Sequence, residues 1–125
     1  MKMLLTLATA LSVVLPASAA MASNVSYNGK WPVTIAGSKS FNGSHCVELT
    51  QGSALLDGTY YGGFQVISHT ILVFLDITGS GEEPASLVFS APATKGNIGK
   101  GAFDFIQGGS SYDSGTAVFG TRGGC

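Results

Sequence analysis

Charge is what this chain has least of. Lysine and arginine supply six of its 125 residues, and aspartate and glutamate seven, together 10%, against about 25% in an average soluble protein. The formal net charge is −1 and no block carries one sign. That excludes the basic footprint of a nucleic-acid binder and the charged composition of a disordered tail. Arginine occurs once, as Arg122, tryptophan once, as Trp31, and histidine twice, as His45 and His69. No apolar run reaches the roughly 20 residues of a spanning helix, and past the N-terminal segment no helical periodicity outlasts two turns. Neither a Gly-x-Ser-x-Gly elbow nor an H-E-x-x-H helix occurs. The stretch 94–101, T-K-G-N-I-G-K-G, lacks the first glycine and the hydroxyl residue of a phosphate loop. No cofactor and no metal site is expected, and the length accommodates one domain.

The N-terminus has a three-part layout: basic Met1-Lys2-Met3, an apolar run over 4–15 ended by Pro16, then the small residues Ala17-Ser18-Ala19 and Ala20-Met21-Ala22. This predicts a secretory signal peptide over 1–22, with cleavage after Ala19 or Ala22, and a single domain over 23–125. The mature protein is expected outside the cytoplasm, secreted or periplasmic, with no stable membrane insertion. Its two cysteines, Cys46 and Cys125, make an even count in an oxidising compartment, so they are expected to pair. Asn24 and Asn42 each open a glycosylation sequon.

Glycine supplies 18 residues, about twice ordinary usage. Between glycine clusters stand short β-branched and aromatic runs at 30–36, 44–50, 53–56, 59–61, 64–67, 70–77, 85–90, 102–107 and 116–121. The turn dipeptide Asp57-Gly58 closes one of them. Runs 64–67 and 70–77 form either one long strand or a hairpin turning at Ser68-His69. Residues 91–101 and 108–115 are read as connections. Seven or eight short strands joined by glycine-rich turns predict an all-β fold, a small antiparallel barrel or a sandwich. The barrel is favoured because it removes exposed edges.

The first strand opens with Gly29-Lys30-Trp31, a G-x-W, and Arg122 stands near the end of the last. This pairing resembles the calycin barrels: lipocalins, avidin-like proteins and bacterial metalloprotease inhibitors. The resemblance implies that Trp31 closes the barrel floor and that Arg122 stacks on it. Cys46, in His45-Cys46-Val47-Glu48-Leu49, also resembles a second-strand cysteine of the bacterial inhibitors. Their bond closes to another internal cysteine, whereas the partner here is the terminal residue.

For function, the histidines are isolated and no convergent acid–base set is legible, so the chain is expected to be non-enzymatic. Tyr27, Tyr60, Tyr61 and Tyr112, with His69, are candidate binding-loop residues. Tyrosines among small flexible neighbours are the composition of contact loops, and equally of the covers over a small barrel's open ends. The expected partner is another protein, such as a protease, or a small apolar ligand, and not a nucleic acid. The alternative from a different class is a structural, self-associating envelope or matrix protein. An enzyme would require His45 or His69 to meet a carboxylate in a cleft.

Overall fold

The computed structural model of the protein describes residues 25–79, 81 and 83–125; the signal peptide expected over 1–22 and Asn24 lie outside them. Nine strands follow in chain order: β1 (Gly29–Ala36), β2 (Gly43–Thr50), β3 (Ser53–Leu56), β4 (Tyr60–Ile67), β5 (Thr70–Asp76), β6 (Ala85–Thr94), β7 (Asn97–Ile98), β8 (Lys100–Gln107) and β9 (Ser110–Phe119). Among the described residues there is no helix, and so none long and apolar enough to cross a membrane. Each long strand pairs antiparallel with the next, and β9 returns to β1, where Val33 faces Phe119 and Ala36 faces Thr116. The result is a closed eight-stranded up-and-down barrel, with the two-residue β7 as a short appendage to β6.

Period-two alternation decides which side chains enter the barrel. Trp31, Val33 and Ile35 of β1 point inward, as do Val47 and Leu49 of β2, Ile71, Val73 and Leu75 of β5, and Leu87 and Phe89 of β6. Phe103 and Phe119 fill the space against Phe89, with ring centroids 5.8 and 6.0 Å away. Phe41, in the β1–β2 connection, closes one end against Phe103 and Phe105. The interior is thus packed by the chain's own side chains, as expected where eight strands leave just enough room to be filled.

Three expectations about the strands are corrected. The runs 59–61 and 64–67 are one strand, because Gly62 and Gly63 lie inside β4. A Cβ on Gly62 would fall 1.7 Å from the Phe74 carbonyl oxygen, so glycine there permits a close approach of β4 to β5 and does not mark a turn. The connection expected over 91–101 is largely strand: inward Ala91 and Ala93 continue the alternation of β6. Pro92 is tolerated because its carbonyl accepts from Gly99 N–H at 2.8 Å and no ladder donor is required of it. The gap expected over 108–115 shrinks to the turn Gly108-Gly109, with φ of 60° and 83°. The alternative of one long strand over 64–77 gives way to the hairpin, with Ser68 and His69 both at positive φ, 50° and 63°.

Candidate functional site

The two ends of the barrel and one stretch of its outer wall hold the residues singled out above. At the end where β1 begins, the Arg122 guanidinium lies 4.9 Å from the centre of the Trp31 ring. Its Nη1 donates to Asn28 O at 3.0 Å, and its Nη2 to Ser26 O at 2.9 Å and Gly96 O at 2.8 Å. One side chain therefore joins the N-terminal arm, the β6–β7 turn and the floor of the core. Cation–π contact of this kind is worth about 0.5–2 kcal/mol. Gly29, at φ 140°, makes it possible: a Cβ there would sit 2.8 Å from Arg122 Cγ. The glycine of Gly29-Lys30-Trp31 is the space into which the arginine folds.

Tyr27 does not stand on an open loop. It is 7% exposed and belongs to the core; its carbonyl accepts from Trp31 Nε1 at 2.9 Å, and its hydroxyl accepts from Gly96 N–H at 3.4 Å. The ring joins the core two residues before β1 begins, at the mouth where Arg122 and Trp31 stack. Among the described residues every buried side-chain nitrogen and oxygen has a hydrogen-bond partner, so no such group points into the interior awaiting a ligand.

At the opposite end, His45 meets the carboxylate that the sequence did not pair with it. Nδ1 stands 2.7 Å from Asp57 Oδ2, and Nε2 stands 2.8 Å from Phe41 O. The other Asp57 oxygen accepts from Cys46 N–H at 2.8 Å. Burial opposes a charge on the ring, but the hydrogen bonds to Asp57 and to the Phe41 carbonyl, with the negative charge of Asp57, hold its pKa above the ordinary 6.5. Both ring nitrogens are occupied, so the pair joins the β1–β2 connection to the β3–β4 turn and leaves no nitrogen for a substrate. Cys46, next along β2, is bonded to Cys125, with Cα atoms 6.0 Å apart, and no free cysteine is present. The Asp-Gly turn signal was visible in the sequence; its nearness to His45 depended on β2–β3 register. Close by, Asp113 accepts from the Ser38 hydroxyl at 2.6 Å and from Lys39 N–H at 3.0 Å, while Asn42 Oδ1 accepts from Ser38 N–H at 2.8 Å.

The remaining candidates are scattered. Tyr60 and Tyr112 lie near this second end, and Tyr112 leans on Phe105 with centroids 6.4 Å apart. His69 is in the β4–β5 turn at the first end, its carbonyl accepting from Ala93 N–H at 2.8 Å. Tyr61, 71% exposed, stands on the outer wall, where a shallow groove of about 210 Å³ is lined by Glu48, Thr50, Ser53, Ala54, Leu55 and Tyr61. On the neighbouring strand β5, opposite Gly63, outward-facing Phe74 is 41% exposed. Phe74 was missed in the sequence because 72–77 is nearly all apolar and reads as buried on both faces. Among the described residues no three His, Cys, Asp or Glu side chains gather as a metal site. Compared with protein-family models, with curated proteins and with solved structures, the chain finds no match, so its chemistry rests on these side chains alone.

Proposed function

We propose that this protein is an exported, non-enzymatic β-barrel that binds a protein partner through its outer wall. The observation that carries the reading is the contrast between a filled interior and an unfilled exterior. Trp31, Phe89 and Phe103 occupy the space a lipocalin-like ligand would need. Tyr61 and Phe74 meanwhile keep aromatic surface in water beside the Leu55 groove. Exposed aromatics beside a groove are the usual anchors of protein interfaces. Export is supported by the N-terminal layout and by the Cys46–Cys125 bond, which belongs to an oxidising environment. The outer wall carries Lys30, Glu48, Asp76, Lys100 and Asp104 around an apolar interior. That is the reverse of a membrane barrel, whose outside is apolar and whose lumen is polar.

The Arg122–Trp31 stack at the G-x-W supports a calycin-like relationship, and through the resemblance to bacterial inhibitors a protease is the first partner class to test. Native mass spectrometry of the protein purified from its host's medium or periplasm makes the test. The expected result is a retained protein that Tyr61→Ala releases, with affinity lowered about 30-fold, the roughly 2 kcal/mol of a hot-spot tyrosine. A retained small molecule, or a partner indifferent to Tyr61 and Phe74, overturns the reading.

A further inference from the structure

In a staggered barrel each strand outruns its neighbour, leaving backbone groups at its ends without a ladder partner. Three of these ends are sealed. The free start of β2 is closed by Asp57, whose N–H donates to Cys46 O at 2.8 Å and whose carboxylate accepts from Cys46 N–H. The free start of β1 is closed by Gly120 N–H to Pro32 O and Gly123 N–H to Lys30 O, both at 2.7 Å. The free start of β9 is held by the Asp113 carboxylate to Ser38, Lys39 and Ser40. The end of β4 is different. Pairing with β3 stops where Ser53 faces Gly63, and Phe64 N–H donates to Gly52 O at 2.9 Å. Two residues on, Val66 N–H and C=O point the same way by strand alternation, and among the described residues nothing meets them.

This edge also lacks the devices that keep edges apart. Proteins blunt them with lysine, proline or inward charge, yet from 58 to 75 there is no Asp, Glu, Lys, Arg or Pro. Of the eight large hydrophobic residues exposed among the described residues, five lie on this hairpin: Tyr60, Tyr61, Val66, Ile67 and Phe74. Val66 is 39% and Ile67 52% exposed, directly at the uncovered end.

We propose that the edge of β4 at 65–67 pairs antiparallel with the same edge of a second copy of this chain, forming a twofold dimer with one sheet running through both barrels. The second copy fits because the edge is self-complementary. About a twofold axis at Val66, each Val66 N–H meets the C=O of Val66 in the other copy, and the same patch serves on both sides. No like charges oppose across the axis, although the whole chain is weakly acidic. A partner chosen by charge would find nothing here to select it. The dimer goes beyond the outer-wall reading and stands or falls separately from it, since it uses backbone groups beyond the reach of the Leu55 groove.

The test is sedimentation velocity on the mature chain from about 10 μM to about 1 mM, the range of a modest contact, with amide exchange of Val66 followed by NMR at both limits. The expected result is a concentration-dependent dimer in which Val66 exchanges more slowly than in the monomer. Ile67→Lys, at an exposed position, sets two ammonium groups flanking the axis and weakens association about tenfold or more, an effect that added salt partly reverses. Ile67→Glu repeats this with the opposite charge. A monomer throughout the range overturns the proposal. So does a dimer whose Val66 exchanges as fast as in the monomer, or one indifferent to both variants.

Discussion

His45 is held by two acceptors at once, a carboxylate at Nδ1 and a main-chain carbonyl at Nε2. Only the imidazolium donates from both nitrogens, so deprotonation costs one of the two contacts. Because the folded pKa is raised above 6.5, the stability this residue contributes is fully present below 6.5 and is lost as pH rises through the folded value. Asp113 titrates elsewhere. The Ser38 hydroxyl first, then the backbone N–H groups of Lys39, Ser40 and Ser114, hold its pKa below 3.8 against the effect of burial. Its contribution is lost only as pH falls through that lowered value. The denaturant midpoint is therefore expected to fall as pH rises from 6.5 through the folded value. His45→Gln should flatten that slope. A wild-type midpoint constant across this range would show that the His45 clasp does not act on stability.

At the scale of the element, β4 is the strand that contributes least to the core and most to the surface. Its burial alternates poorly, with Phe64 alone packed on the core and the aromatics Tyr60 and Tyr61 exposed. Gly62 is what lets this strand stay in the barrel, because the backbone of β5 stands where its side chain would be. Gly62→Ala must push the two strands apart, a cost of about 2 kcal/mol or more for overpacking against immovable backbone. In a domain of this size that lowers the thermal midpoint by about 10 °C, readable by circular dichroism. An unchanged midpoint would mean that the β4–β5 approach is looser than described. The sequence marked Gly62-Gly63 as punctuation, since composition does not separate a glycine that turns the chain from one that admits a neighbour.

For the whole molecule, the chain closes twice. Hydrogen bonds between β9 and β1 close the sheet, and the Cys46–Cys125 bond, spanning 79 positions, ties the last residue back to β2. On the chain-entropy estimate a loop of that length is worth about 4.5 kcal/mol, a large share of the 5–15 kcal/mol by which a small domain is stable. Cys125→Ser is expected to lower stability by a comparable amount in chemical denaturation and to leave a Cys46 thiol open to alkylating agents, which do not modify the oxidised wild type. A loss below about 1 kcal/mol would place the bond's role outside folding.

Alternation alone determined the all-β class and most of the core: Trp31, Val33, Ile35, Val47 and Leu49 point inward because successive side chains on a strand take opposite faces. The even cysteine count in a chain with an export layout was enough to pair Cys46 with Cys125. Tertiary structure decided whatever depends on register and closure. It chose the barrel over the sandwich by returning β9 to β1, drew Tyr27 from a supposed loop into the mouth of the core, and set Asp57 against His45. It also left the end of β4 uncovered, because β3 is only four residues long and stops short of Val66. Periodicity tells which face a residue takes along its own strand. Which neighbour stands across from it is fixed only when the strands are staggered and closed.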